Sequence, residues 1–444
     1  MLSFPASAQE DLRIKVEKLE EELRVLKQQL ADDKKVEEKK TKAAPVVTAG
    51  SDGITFRSAD TNFVFKLHGY VQADARFYPD DANRTAPNDT FLLRRVRTIF
   101  EGTVFDKFDY RMMLDFGAGS SLSTANNTLV QDGYVNFRPA PWFQIQAGKY
   151  KAPVSLERLQ PDAYLTFVER SYTAELAPNR DVGVELKGDL FDGRLSYAAG
   201  IFNGVGDNDS GDIEIADDEK DIEARFFANP FKLSKVKALQ KLGFGLGGTF
   251  GNHEGALKSF LSPGQQMMFS YNPENVGTNT VTVVADGEQW RLAPQGYYYF
   301  GPFGIFGEYI VSNSKVRKNN PTEFARIQNK AWSVTASYFL TGEENSFEPV
   351  RPKRRFSLSE GGWGAVELVA RVQQISLDKD IFPLYANPAT SARGATSWGV
   401  GVNWLLNPNV KISLNYEDTD FQGGTSAFLK RGEKVILTRA QLAF

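Results

Sequence analysis

The sequence predicts an all-β fold, an antiparallel transmembrane β-barrel of about sixteen strands behind a short N-terminal coiled-coil helix. Three observations predict it. Residues 63–77 alternate between an apolar set, Phe63, Phe65, Leu67, Val71, Ala73, Ala75 and Phe77, and a polar set that includes Lys66, His68, Gln72, Asp74 and Arg76. The connections between such segments sort by length, tight after even-numbered strands and long after odd-numbered ones, as periplasmic turns and extracellular loops do. Finally, 38 Gly, 16 Tyr and 33 Phe suit many short strands with turns and aromatic girdles.

Composition removes several function classes. The 444-residue chain has no cysteine and two histidines, which excludes thiol nucleophiles, disulfide frameworks and cysteine-based zinc sites. A net charge of −3 gives no bulk basic field for nucleic acid. A mean hydropathy of −0.36 argues against membrane helices. It leaves a barrel open, because a barrel strand shows lipid only every second residue.

At the N-terminus, Ala6, Ser7 and Ala8 form an A-x-A-like cleavage signal before Gln9. Met1–Pro5 is too short for the charged and apolar regions of a whole signal, so residues 1–8 read as its remnant, or as a chance cluster of small residues. Over residues 9–31, Leu12, Val16, Leu19, Leu23, Leu26 and Leu30 recur at spacings of 4, 3, 4, 3 and 4, a heptad seam among Glu, Lys and Arg. A helix this short is marginal alone in water, so the seam implies partner helices, in a number the seam leaves open. Residues 32–60 turn charged and Ala/Gly/Pro-containing, the composition of a flexible linker. The barrel is expected over 61–444.

Strand patterns begin near Phe63, Phe91, Lys107, Leu129, Pro141, Asp181, Gly193, Lys220, Leu242, Trp290, Pro302, Lys330, Gly362, Ser397, Asn409 and Lys434. Alternation repeats in NVKISLNYEDTDF, where Ile412, Leu414 and Tyr416 oppose Lys411, Ser413, Asn415 and Glu417. The apolar set is expected to face lipid and the charged set a wet lumen, since Lys or Arg facing lipid costs about 2–4 kcal/mol at the midplane. Long loops are expected at 79–90, 117–128, 150–180, 204–219, 253–289, 315–329, 379–395 and 421–433. Two connections on the short-turn side, 230–241 and 341–361, are anomalously long.

At FLLRRVRTIFEGTVFDKFDYRMMLDF, QDGYVNF, QAGKYKAPVSLERL, VERSYTAELAPNRDVGVELKGDLFDGRLSYAAGIFNG, YFLTGE and AVELVAR, the chain resembles the phosphate-selective porin O and P family. The resemblance covers about residues 63–444. The terminal ILTRAQLAF, ending on Phe444, also resembles the aromatic final strand by which outer-membrane barrels are recognised for assembly. The resemblance implies a trimer of sixteen-stranded barrels in the cell outer membrane, with positively charged constrictions that pass anions. A three-stranded N-terminal coiled coil in the periplasm would fit that trimer.

Candidate selectivity residues follow. Arg94 and Arg95 stand where the family places an RR pair, continued here by Arg97. Arg95 and Arg97 have lumen parity with Glu101, and Arg94 has the other parity, which puts it in a bend. Guanidinium groups stay charged and grip phosphate oxygens bidentately. The competing expectation is that these arginines pair with Glu101 or Asp115 across the wall. The loop from Tyr150 to Arg180 is expected to fold inward, bringing Lys149, Lys151 and Arg158 to a relay of weak anion sites. Glu157 and Glu169 could instead neutralise them. Asp132, in QDGYV, matches an acidic family position and would weaken a basic site so that the anion leaves, or else partner an arginine.

Two further basic clusters, Lys232, Lys235, Lys237 and Lys241, then Arg351, Lys353, Arg354 and Arg355, read as an exit vestibule or as solvated turns. The run Asp207–Asp212 hints at calcium without the full ligand loop. His68 and His253 show no sequence partner. No set of nucleophile, base and orienting residue can be assembled, so no enzyme activity and no cofactor is expected. The expected function is an outer-membrane porin for anions, phosphate or polyphosphate foremost, with outer-membrane lipid, lipopolysaccharide and two further copies of the chain as partners and no nucleic acid. The alternatives are a general diffusion porin with weak anion bias and an envelope tether that works through the helix.

Overall fold

The computed structural model describes residues 6–43, 45–79, 88–117, 129–211, 218–276, 279–318 and 322–444. Helix α1 (Ala6–Ala43) is followed by a hairpin of β1 (Val46–Gly50) and β2 (Gly53–Arg57). The next nine strands are β3 (Phe63–Phe77), β4 (Thr90–Val104), β5 (Phe108–Asp115), β6 (Val130–Ala140), β7 (Phe143–Lys151), β8 (Arg180–Leu190), β9 (Leu195–Phe202), β10 (Asp221–Ala228) and β11 (Leu242–Ala256). Short strands β12 (Phe260–Leu261), β13 (Met267–Phe269) and β14 (Pro273–Val276) belong to the loop after β11. Strands β15 (Asn279–Phe300), β16 (Phe303–Lys318), β17 (Glu323–Phe339), β18 (Ala365–Ser376), β19 (Gly394–Leu405), β20 (Val410–Gln422) and β21 (Glu433–Ala443) complete the circuit. Neighbours pair antiparallel, and β21 returns to β3 with Ala443 opposite Tyr70, closing a sixteen-stranded barrel.

The barrel is inside out relative to a water-soluble core. Phe226, Phe244, Leu368, Val400 and Leu414 are exposed on its outer surface, while Gln72, Arg371, Gln373, Asn415 and Arg439 are buried within it. Lipid supplies the apolar environment that the outer residues need, and the closed ladder pairs each barrel strand with a neighbour on both sides.

The strand starts expected from alternation agree with the structure to within three residues except at two places. β15 begins at Asn279 rather than near Trp290, and β17 at Glu323 rather than near Lys330. There the side chains that alternation would make apolar are charged and pair across strands, Arg317 with Asp286 and Arg326 with Glu288. Above the bilayer the hydrogen-bond ladder continues while the apolar alternation stops. Most of the loop expected at 315–329 is therefore strand, since β16 runs through Lys318 and β17 starts at Glu323.

The segment 32–60 also differs from the expected linker. α1 continues through Ala43, and β2 pairs with β3 from Ile54 opposite Leu67 to Arg57 opposite Val64. β21 ends opposite Tyr70, so without β2 this stretch of β3 would present an unpaired edge. The hairpin turn lies at the short-turn, periplasmic end, where Asp52 pairs with Arg351 at 2.5 Å and Asn409 Nδ2 donates to Ser51 O at 2.7 Å. Along α1, Val16, Leu19, Leu23, Leu26 and Leu30 are all exposed in the single chain.

Inside, loops from the opposite end fold inward and pack on one another. Tyr172 and Leu176 after β7, Phe269 and Tyr271 after β11, Ile381 and Tyr385 after β18 and Leu429 after β20 share one buried apolar cluster. That cluster fills part of the lumen and confines the open space to one side.

Candidate functional site in the barrel lumen

The loop between β7 and β8 carries two single-turn helices, α2 (Leu156–Leu159) and α3 (Thr173–Leu176). Ser155 caps α2 by accepting from Arg158 N at 3.2 Å, and its hydroxyl donates to Glu308 on β16 at 2.9 Å. A loop inside a barrel buries backbone that must find partners. Lumen-facing side chains supply them: Gln72 Nε2 donates to Asp162 O (3.1 Å), Gln441 Nε2 to Ala163 O (3.0 Å), Lys411 Nζ to Leu165 O (3.0 Å) and Asn403 Nδ2 to Thr166 O (2.8 Å). Val168 N in turn donates to Asn415 Oδ1 at 2.7 Å, and Tyr172 N to Gln373 Oε1 at 2.8 Å. The polar inner face is thus the template on which the loop is laid.

Ion pairs fasten the same loop. β3 and β4 change register so that Gln72 faces Arg95 while Ala73 faces Leu93, leaving Arg94 as the extra residue of a bulge. The bulge brings Arg94 and Arg95 to the same side of the wall despite their adjacent positions. Arg94 Nε donates to Glu169 at 2.8 Å, with Arg76 at 3.5 Å and Arg439 at 3.8 Å from the same oxygen. Asp162 receives Arg97, Arg170 (2.5 Å) and Arg95 (3.5 Å), and Arg97 also pairs with Asp115 at 2.7 Å. Burial alone would raise the Asp162 carboxyl, but Arg170, Arg97 and Arg95 outweigh it and hold it well below the ordinary 3.8. Glu169 is likewise opposed by burial, yet Arg94 and Arg439 hold it below its ordinary 4.5.

Beside the docked loop lies a cavity of about 690 Å³, reaching from the loop residues Asp162–Tyr164 down to the hairpin residues Ser51 and Asp52 and to Phe444. Its wall carries a line of charge. Glu101 on β4, just behind the lining, receives Lys66 (3.4 Å), His68 (3.1 Å) and Arg111 (2.5 Å). Arg111 also reaches Asp132 at 3.1 Å, and Asp132 accepts from Arg180 Nε at 2.7 Å. Arg180 in turn stands opposite Lys151 in the β7–β8 ladder. Lys151 Nζ donates to Gln160 O at 2.7 Å, while Arg180 Nη2 has no partner among the described residues. Lys66, Arg111, Lys151 and Arg180 all line the cavity.

The sequence-predicted residues divide between two places. Asp132 and Lys151 line the cavity. Arg94, Arg95 and Arg97 do not; they sit behind the loop and hold it to the wall. The expected partnership of Arg97 with Asp115 is present, but Glu101 is taken by Lys66, His68 and Arg111 instead. Arg158 is buried within the loop, donating to Ala174 O at 2.5 Å and to Asn208, and does not line the cavity. Lys149 stands opposite Gly133 and Val182, beside the outward-exposed Ala147 and Val184, and is not part of the cavity lining. Sequence reasoning missed Arg111 and Arg180. Arg111 shares lumen parity with Met113, but Arg180 stands at a strand start, where parity says nothing.

Other motifs resolve differently from the expectation. Asp207 accepts from Arg291 (2.7 Å) and Ser312 (2.9 Å), and Asp209 pairs with Lys258 at 3.2 Å, so these two carboxylates serve the protein. Residue 212 of that run lies outside the described residues. Both histidines have carboxylate neighbours, His68 with Glu101 and His253 with Asp221 at 3.0 Å. Of the two basic clusters, only Arg351 reaches the cavity.

A closed barrel with a polar lumen, a loop folded inward to narrow it and a charged cavity through to the short-turn end defines a porin of the outer membrane. The chain belongs to the phosphate-selective porin O and P family, whose profile matches residues 65–444. It is 24% identical over 411 residues to Porin O of Pseudomonas aeruginosa, across 85% of this chain and 87% of that protein. Among solved structures it is similar to the outer membrane channel DcaP of Acinetobacter baumannii (TM-score 0.55, 11% identity, 89% of this chain and 100% of that one). It is also similar to the trimer form of the outer membrane protein OmpT of Vibrio cholerae (TM-score 0.53, 15% identity, 86% and 99%).

Proposed function

We propose that the chain conducts small anions, inorganic phosphate and its short polymers foremost, with Lys151 and Arg180 forming the site they pass. The observation that carries this reading is the cross-strand placement of these two cations on the cavity, with Arg180 Nη2 unpartnered among the described residues. Like charges directly opposite each other destabilise a ladder, and an anion between them would relieve the repulsion. Asp132 then acts as counter-charge: it holds Arg180 and Arg111 in place and keeps the site weak enough to release what it binds. The family supports the anion class, and the name of the relative supports no particular ion beyond it.

A second reading has its own observation. Asp132, Asp162, Glu185 and Asp189 line the same cavity and offset its cations, as in a general diffusion porin with only a weak anion bias. Reversal potentials in gradients of potassium chloride and potassium phosphate separate the two. A phosphate-to-chloride permeability ratio above that of aqueous mobility supports the phosphate path, and a ratio at or below it leaves the diffusion porin.

We further propose that three chains assemble through the exposed heptad seam of α1 and the barrel wall, with outer-membrane lipid and lipopolysaccharide around them. Crosslinking of the membrane-embedded protein tests this: a trimer band supports it, and monomer alone does not.

A further inference from the structure

We propose that the two long periplasmic turns, 229–241 and 340–364, form a docking surface for anionic phospholipid on the periplasmic leaflet. Two residues suffice to join antiparallel strands, as Gly301-Pro302 does between β15 and β16, so the length of these turns calls for a cause. Both contain a close run of cations. The first reads PFKLSKVKALQK, with Lys232, Lys235, Lys237 and Lys241 and no acid. The second collects Arg351, Lys353, Arg354 and Arg355 in the run RPKRRFSLSEGGW against Glu360, while its first half carries Glu343, Glu344 and Glu348, of which Glu344 pairs with Lys241 and Glu343 accepts from Lys353 N. This concentration of cations stands in a chain whose net charge is −3.

The charges alternate with large apolar side chains that the protein leaves uncovered. Phe231, Leu233 and Val236 are exposed in the first turn; in the second, Leu358 is 90% and Trp363 is 70% exposed. The second turn is tied to the outside of the barrel. Phe356 meets Trp404 edge-on at 5.2 Å, and Trp404 Nε1 donates to Trp363 O at 2.7 Å. Trp404 belongs to the outward side of β19, the side of the exposed Trp398, Val400 and Val402. The two turns also touch, since Lys241 Nζ donates to Asn345 O at 2.9 Å.

Pore duty does not account for these residues, because the cavity is lined by Arg351 and by none of Lys235, Lys237, Arg354 or Arg355. Arg351 is held by Asp52, Lys353 by Gly342 O, Lys232 by Gly193 O, Lys241 by Glu344 and Asn345 O, and Arg355 stands 3.7 Å from Glu360, which leaves Lys235, Lys237 and Arg354 for the membrane. Basic side chains next to exposed Trp and Leu at a bilayer boundary match a phosphodiester headgroup above an acyl surface.

Native mass spectrometry of the purified, detergent-solubilised porin with added phosphatidylglycerol or phosphatidylcholine tests the proposal. The protein should retain phosphatidylglycerol preferentially. The variant Lys235→Gln/Lys237→Gln/Arg354→Gln/Arg355→Gln should lose that preference by roughly five-fold per charge removed. Leu358→Ser/Trp363→Ser should lower retention of both lipids alike, and heat-modifiable gel mobility checks that each barrel is folded. Block of chloride current by inorganic phosphate should be unchanged in the charge variant. Equal retention of the two lipids by the unaltered protein, or a preference that survives the charge variant, would overturn the proposal. A changed phosphate block with lipid retention intact would return these residues to an exit vestibule, and a changed oligomer mass with lipid retention intact would assign the surface to a second copy of the chain.

Discussion

Arg94 and Arg95, neighbours in sequence, lie on the same side of the barrel wall because a bulge in β4 removes Arg94 from the β3 ladder. Arg94 then grips Glu169 and Arg95 approaches Asp162, so the pair anchors the inward loop at two points. The arginines most conspicuous in the sequence thereby hold the inward loop to the wall, and Arg111 and Arg180 from other strands line the cavity beside it.

Replacing Glu169 by Gln leaves Arg94, Arg76 and Arg439 without their shared counter-charge. Breaking a buried pair in this way costs about 3–5 kcal/mol. The loop should undock, raising single-channel conductance and its noise. Conductance equal to that of the unaltered protein would show that the backbone contacts alone hold the loop.

Asp132→Asn removes the carboxylate between Arg111 and Arg180. Anion affinity should rise and release should slow, so phosphate should block chloride current at lower concentration while the maximal phosphate flux falls. Titrated current recordings read both quantities.

The ion pairs of Asp162 and Glu169 and the contact of Glu175 with the loop after β11 should respond to pH with opposite sign. Asp162 and Glu169 have folded values below their ordinary 3.8 and 4.5, so their contribution to docking is fully present above those ordinary values and is lost only as pH falls through the lower folded ones. Glu175, which accepts from Leu261 N at 2.9 Å, is pushed up to about 7, chiefly by burial. Its contribution is fully present below the ordinary 4.5 and is lost as pH rises to about 7. Hydrogen exchange should therefore show 160–170, around Asp162 and Glu169, equally protected at about pH 5 and about pH 7.5, while 257–276 exchanges faster at the higher pH.

Deleting residues 9–43 removes the exposed seam of α1 and leaves the β1–β2 hairpin on β3. The temperature at which oligomers dissociate in detergent should fall, with single-channel conductance unchanged. An unchanged dissociation temperature would count against assembly through the helix.

Most of the barrel was legible in the sequence because bilayer physics writes alternation into each strand, as in Phe63–Phe77. Legibility stopped where that physics stops. Asp286 and Glu288 lie beyond the apolar band, so the start of β15 was placed too late. The β1–β2 hairpin was hidden because it answers to a missing partner for β3 rather than to lipid. Of the cavity-lining residues, Lys151 and Asp132 stand out by motif, whereas Arg180 emerges only from the register that sets it against Lys151. Arg158 and Lys149 lie off the cavity because the place of a loop or strand-end side chain depends on tertiary contacts, such as those of Arg158 with Ala174 O and Asn208, which spacing does not encode.

The most direct test of the anion path is chloride current through single channels in planar bilayers while inorganic phosphate is titrated in, for the unaltered protein and for Arg180→Gln. A charged hydrogen bond lost from the site is worth about 1.5–3 kcal/mol, so the half-blocking phosphate concentration should rise by roughly ten-fold or more in the variant. Current that stays ohmic and unblocked in the unaltered protein, or a block that Arg180→Gln leaves unchanged, would contradict a phosphate site at Lys151 and Arg180.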